Sequence, residues 1–469
     1  MDPTPTQITA GRRQRIVIVC LLLLLLAASA IYAGYRVYLN HRIRIKIDQI
    51  HKAGLPVTTA DLNEWYLAVP PGENAALALT NAFAHLVKAK TNAHNLPFVG
   101  GGKLPQPDEP LPSEMKEAIA DYLATNQPAL ELLVKGLTMK SCRYPVDLTP
   151  GWDALLPHLP GLKQSAQLLA LKTLLHIERD EIGASSETLQ RMLSLADTVA
   201  QEPLLVSHLV RLSCYQISYP CLERILWRGP VPDNSLRRFS SLYRNLELSN
   251  GMERAIVADR CIGLQCFDYS VTQLQTMLAE HGDYSAHDFS VAAGFWMLRV
   301  SGRRDFDELY FLNCVDAYSR AAKQTLPKRI DTAEEVSDRI QEMKRSKYPY
   351  LLSGLFLPGL GKALNKDAVS IAYLRVTQTA LAIERYRLAH HDRLPETLRE
   401  TLPNSLDILP TDPFDGDVLR YKRLDQGFVV YSVGPDREDN GGEEEKPLSN
   451  IERLTTVRES SDITFHVAR

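Results

Sequence analysis

Residues 162–220 read LKQSAQLLALKTLLHIERDEIGASSETLQRMLSLADTVAQEPLLVSHLVRLSCYQISYP. Leu162, Ala166, Leu169, Ala170, Leu174 and Ile177 recur at steps of three and four, the spacing that puts side chains on one face of an α-helix. Gly183 is suited to end that helix. Leu189, Leu193, Ala196 and Val199 or Ala200 restart the pattern, and Pro203 breaks it again. Leu205, Leu209, Leu212 and Ile217 carry a third helix toward Pro220. Successive helices with short joints predict a mainly α, array-like body. No fixed period recurs, so tetratricopeptide repeats are not indicated.

Outward from this stretch the pattern stays helical between about Asn40 and Asn365. Pro70-Pro71-Gly72 precedes another helical run, ENAALALTNAFAHLVKAK, and the Gly- and Pro-rich stretch from Pro97 to Pro112 reads as a surface loop. A chain of 469 residues is too long for one small core. Hydrophobic residues at 45% and charged residues at 23% are ordinary globular values. The net charge of −3 argues against a nucleic-acid binder, which needs a basic surface to displace counterions.

Near the start, Ile16 to Tyr35 reads IVIVCLLLLLLAASAIYAGY without a charge. Twenty residues at helical rise give about 30 Å, the thickness of the bilayer hydrocarbon. Arg12, Arg13 and Arg15 precede the run, and Tyr32 and Tyr35 sit where an interfacial aromatic belt belongs. The rival reading is a cleaved signal peptide with Ala28-Ser29-Ala30 as its small-residue site, but the apolar run continues past that site to full spanning length. A single-pass signal-anchor follows, over residues 1–38. Arg36, Arg42, Arg44 and Lys46 nearly balance the basic residues on the other side. The short N-terminal tail favours a cytoplasmic start and an extracytoplasmic body.

Candidate chemistry is sparse. Glu280, His281, Asp283, His287 and Asp288 cluster, but their spacing fits no helical ligand frame such as H-E-x-x-H. His390-His391-Asp392 reads as a helix end. Pro358-Gly359-Leu360-Gly361-Lys362 hints at a phosphate loop but lacks the first glycine and the following Ser or Thr. No G-x-S-x-G elbow is present. The six cysteines beyond Cys20 form no C-x-x-C pair; they read as buried thiols, with disulfides the alternative in an exported body.

From Lys366 the organisation changes. The segment DAVSIAYLRVTQTALAIERYRLAHH places Ala372, Val376, Ala380, Ile383 and Arg387 on one helical stripe. Val418 to Lys422 and Phe428 to Val433 are β-prone runs joined through Asp425-Gln426-Gly427, which predicts a hairpin. Three phrases follow in order: Ala382-Ile383-Glu384-Arg385-Tyr386-Arg387-Leu388 with Leu394-Pro395, then Leu409-Pro410-Thr411-Asp412-Pro413-Phe414-Asp415-Gly416 with Tyr421, then Tyr431-Ser432-Val433-Gly434-Pro435-Asp436. Together they resemble the globular domain of the type II secretion major pseudopilins, over less than a quarter of the chain. The family's prepilin-peptidase site is missing, and some 300 helical residues intervene after the membrane helix, so a polymerising subunit is not implied.

The resemblance implies a small α+β domain over residues 366–469 after a helical domain over 39–365, and a calcium-binding loop. Asp436 matches the first acidic ligand; Asp439 or Asp462 fills the second place, with Glu443, Glu444 and Glu445 between them. Oxygen ligands suit this hard cation. The layout resembles membrane-anchored bacterial proteins ending in such a domain. The expected function is a non-enzymatic scaffold or binding module of the bacterial cell envelope, with the membrane and an envelope or secretion-system protein as partners. The rival is an envelope hydrolase whose site is assembled from scattered helical residues.

Overall fold

The computed structural model describes residues 5–89, 93–280, 301–345, 350–442 and 462–468, together with Trp296. The quoted stretch forms α6 (His158–Glu178), α7 (Ile182–Ala196) and α8 (Leu205–Arg228), which pack against one another with the expected apolar residues buried. Two boundaries differ from expectation. Helix α6 stops at Arg179 and Asp180, where Asp180 takes a φ of 56°; Gly183 lies in the first turn of α7. Aspartate tolerates the left-handed region better than most residues, so it can serve as the stop. Pro220 does not end α8, which continues to Arg228 and halts before Gly229. An interior proline costs a helix about 3 kcal/mol. Burial of Cys221, Leu222, Ile225 and Leu226 in the following turn offsets that cost.

The body begins with α2 (Thr59–Trp65), α3 (Ala76–Ala84), α4 (Ser113–Thr125) and α5 (Gln127–Gly136). The stretch from Pro97 to Pro112 is irregular, as expected, but it is not wholly on the surface. Phe98 and Leu111 are buried in the main core, and the buried Arg224 of α8 donates to the carbonyls of Pro105, Gln106 and Glu109. After α8 come α9 (Asp233–Glu247), α10 (Gly251–Asp268), α11 (Val271–Glu280), α12 (Arg303–Ala322) and α13 (Lys328–Lys344).

Helix α1 (Pro5–Lys52) runs unbroken for 48 residues. It is long and apolar enough to cross a membrane: its most apolar window has a mean hydropathy of 2.9, and none of that window is buried by the rest of the chain. Beyond the apolar run the same helix docks on α12. Leu39 and Ile43 are buried, Arg36 Nε lies 2.5 Å from Asp305 Oδ2, Lys46 Nζ lies 3.3 Å from Asp316 Oδ2, and Tyr35 packs on Phe306 with ring centroids 5.3 Å apart. The apolar run is therefore joined to the body as a continuous helix.

Helix α14 (Leu351–Ala389) spans 39 residues and passes through the position of Asn365, where a domain boundary was expected, without a break. The Pro358–Lys362 segment lies inside it as helix, so no phosphate-cradling loop exists there. The predicted stripe of Ala372, Val376, Ala380, Ile383 and Arg387 is buried. The predicted hairpin forms from β1 (Arg420–Arg423) and β2 (Phe428–Ser432), with Arg420 opposite Tyr431 and Arg423 opposite Phe428. A third strand, β3 (Ile463–Val467), pairs antiparallel with β2, which becomes the fully buried central strand. At the turn, Gly427 has a φ of +96° and a Cβ there would lie 1.9 Å from the Val467 carbonyl oxygen, so only glycine fits.

The outer edge of β3 is covered by α8. Trp227 Nε1 donates to the His466 carbonyl at 2.7 Å, and the His466 N–H donates to Glu223 Oε1 at 3.2 Å. Two side chains one turn apart on the helix thus satisfy one residue of an edge strand that would otherwise present open backbone groups. Trp227→Phe keeps the ring and removes the donor. It is expected to cost about 1–3 kcal/mol, the cost of leaving a buried carbonyl unpaired, read as a lower denaturation midpoint of the full-length protein. An unchanged midpoint would show that α8 does not hold the sheet.

Candidate functional site

A large cavity lies where α8, α10, α12 and α14 meet the segment Gly151–Leu156. Its volume is about 970 Å³, at the upper end of the roughly 300–1,000 Å³ typical of small-molecule sites. Leu204, Leu205 and Leu209 come from the start of α8, Ile262 and Gly263 from α10, Phe311 from α12, and Leu355, Phe356, Gly359 and Leu360 from α14. Gly263 sets the depth on one side: a Cβ there would lie 2.2 Å from the Phe311 ring, so glycine lets that ring lie flat on α10. Gly359 is the converse, with open space where a Cβ would go.

One charged group projects from the inner wall. Asp259 on α10 has no hydrogen-bond or ion-pair partner among the described residues. Burial alone pushes its carboxyl from 3.8 up to about 7, because no donor stabilises the charged form. The second acidic residue of the lining, Asp153, stands at the exposed mouth, and Lys, Arg and His are missing from the lining among the described residues. The mouth is apolar: Leu155 is 83% exposed, Val206 46%, Leu355 45% and Trp152 36%.

A row of rings leads from this mouth to the membrane helix. Trp152 and Phe311 each pack on Phe356, with centroids 5.5 and 6.4 Å apart. Tyr350, at the head of α14, stacks on Tyr310 at 4.5 Å and Phe306 at 6.5 Å, and Phe306 meets Tyr35 at the end of the apolar run. Six helical residues separate Tyr350 from Phe356, a rise of about 9 Å. The pocket therefore lies near the end of the apolar run of α1.

Another buried cluster has the residues of a hydrolytic triad in the wrong order. Glu202 accepts from Ser207 Oγ, pairs with His158 Nε2 at 3.0 Å, and accepts from Tyr66 OH at 3.4 Å. The carboxylate stands between serine and histidine, so the imidazole has no hold on the hydroxyl proton and cannot activate it. All four side chains are buried, and their role is to tie α2 and α6 to the segment before α8.

The acidic residues expected to bind metal are brought partly together. Asp462 accepts from the backbone N–H of Asn440 at 3.3 Å and Gly442 at 2.7 Å, and Asp439 accepts from Gly441 N–H at 2.9 Å and Tyr431 OH at 3.1 Å. Both carboxylates close the same turn. Asp436 accepts from the N–H of Glu438. Burial pushes the Asp462 carboxyl up, and the charges of Asp439 and Asp436 add to the effect. Glu443, Glu444 and Glu445 lie outside the described residues, as do His281, Asp283, His287 and Asp288 of the other acidic cluster; Glu280 closes α11. Asp412 of the pseudopilin-like phrase is fully buried and accepts from Phe414 N, Val433 N, Ser432 Oγ and Arg420, which makes it a hub of the hairpin. His390 caps the end of α14, and Asp392 pairs with Arg387. The cysteines among the described residues are free thiols.

Comparison with family models, curated proteins and solved structures finds no match for this chain.

The pocket was not read from the sequence, yet a signal was present. Asp259 lies three residues after Ile256 and four before Gly263, on the apolar face of α10, where a lone carboxylate is out of place. Its titration gives a prediction. Between about pH 4 and 7 the unfolded chain has released this proton while the folded chain still holds it, so stability falls as pH rises through that window. Asp259→Asn is expected to flatten the fall and to raise the melting temperature at pH 8. Parallel pH profiles for the two proteins would overturn this assignment.

Proposed function

We propose that this protein is a membrane-anchored binding module of the bacterial cell envelope, with its body on the extracytoplasmic side, and that its pocket accepts an apolar chain drawn from the bilayer. The observation that carries this reading is the exposed apolar mouth of a large apolar cavity, about 9 Å along α14 from a ring cluster that packs on Tyr35 at the end of the apolar run of α1. Exposed apolar groups gathered at one place mark an interaction surface, and here the nearest apolar phase is the membrane itself. Arg36 and Lys46, bound to Asp305 and Asp316, serve to dock the anchor on the body. Their presence after the apolar run is therefore compatible with an extracytoplasmic body despite the positive-inside rule. The hydrolase reading is less well supported, because the pocket lining supplies walls and a carboxyl but no Ser, Cys or His among the described residues.

Full-length protein extracted in mild detergent is expected to carry a co-purified amphiphile detectable by mass spectrometry after organic extraction. A Cβ at Gly359 meets nothing within 4 Å, so Gly359→Leu projects its side chain into the open space on α14. It is expected to lower the co-purified amount at least fivefold while leaving the melting temperature unchanged or higher, since glycine costs a helix about 1 kcal/mol. Equal loading of both proteins would sink the reading.

For the C-terminal loop we propose calcium as a ligand, because Asp439 and Asp462 close one turn and burial, with the acidic charges of Asp439 and Asp436 adding to it, pushes the Asp462 carboxyl up. A cation would relieve that repulsion. Extracellular sites bind at about 0.1–1 mM, so the test is melting of the full chain in millimolar calcium against chelator, with Asp462→Asn beside it. A calcium-dependent rise of a few degrees that the variant abolishes is expected. The same melting temperature with and without calcium would remove the metal from this loop.

A further inference from the structure

From the charge pattern of the α8–α10–α14 pocket we infer that its ligand is a single-chain amphiphile whose head donates hydrogen bonds or carries positive charge, a long-chain amine or alcohol, and that Asp259 is the group that receives the head. The inference rests on the reading of the pocket as an apolar-chain site and adds the head-group class.

Leucine, isoleucine and phenylalanine side chains favour a hydrocarbon tail without choosing among heads. Selection falls to the polar groups, and both charged residues of the lining, Asp259 inside and Asp153 at the mouth, are acidic. Above about pH 7, where the Asp259 carboxyl is ionised, an anionic head such as a carboxylate or phosphate would meet like charge with no Lys, Arg or His of the lining, among the described residues, to offset it. A donor head does the opposite. Asp259, partly exposed toward the cavity and without a partner among the described residues, is an acceptor once ionised, held on α10 between Ile256 and Gly263. A hydroxyl or ammonium placed against it supplies the missing partner, and an ammonium pair formed away from water is a strong contact. A site built around an acceptor rejects ligands that cannot donate, because the acceptor is then buried unpaired.

The test is native mass spectrometry at pH 8, where Asp259 is ionised, of the detergent-solubilised full chain with hexadecylamine, hexadecanol and palmitate offered in competition. Asp259→Leu and Gly359→Leu are run alongside, with melting temperatures as the check on folding. The expected result is an order of bound species with amine first, alcohol second and palmitate last, the amine exceeding palmitate at least tenfold. In a folded Asp259→Leu protein that preference should vanish while tail binding persists, and in Gly359→Leu all three should be lost. Equal binding of the three by the wild-type chain, or preference for palmitate, overturns the head-group inference while leaving the apolar-chain site standing. No binding of any of them overturns both. Should Asp259→Leu fail to melt cooperatively, Asp259→Asn takes its place. An amide still accepts a hydrogen bond but carries no charge, so loss of the amine's lead over the alcohol is then the supporting outcome and its retention the opposing one.

Discussion

Helix α14 has to bury side chains around nearly its whole circumference, and the rest of the body is arranged to let it do so. At 39 residues it is about 60 Å long. Its first turns enter the core built by α10, α12 and α13; its middle is covered by Phe414, Val433 and Ile463; its last turns face α8, α9 and the sheet. A helix that is apolar on all sides cannot stand in water on one stripe alone. The C-terminal sheet is one of the covers it needs. Its edge is in turn closed by Glu223 and Trp227 of α8, so the small sheet and the helical body share one core.

The start of α14 is itself capped from outside. Asp307, buried on α12, accepts from the N–H groups of Leu352 and Ser353, and the Ser353 hydroxyl donates back to the Asp307 carbonyl. Helix N-termini leave unpaired donors, and a carboxylate there also opposes the helix dipole. Since α12 carries the membrane helix on its other side, through Asp305 and Asp316, the same helix fixes both the anchor and the head of α14. Anchor, α12 and α14 are thereby held in register, and the cavity beside Phe311 lies among them.

That cavity exists because small residues stand at the crossing. Gly263 lets the Phe311 ring settle on α10, and Gly359 leaves a gap on α14 just after Pro358, which cannot donate to the preceding turn. Apolar cavities in a close-packed interior forgo contacts, so one of this size, with an open apolar mouth and an unpaired carboxyl, is a feature that stability alone does not favour. Function is the more economical account of it.

The sequence alone determined the local structure. Twenty uncharged residues from Ile16 dictate a bilayer-spanning length, the three- and four-residue spacing of leucines dictates α6, α7 and α8, and the alternating β-prone runs around Gly427 dictate the hairpin. These signals are local and periodic. What only the tertiary structure decided is long-range. Pro220 and Pro358 are carried inside helices because packing outweighs their local cost, and α14 continues through Asn365 because both halves are buried by different partners. Strand β3, the five residues ITFHV from Ile463 to Val467, gains its place from pairing with β2 and from α8. The acidic residues 436, 439 and 462 were legible as a group by motif likeness; the convergence of Asp439 and Asp462 on one turn depended on that same strand. The pocket was least legible, since its walls come from five segments between Gly151 and Leu360 and no local pattern records which faces will meet.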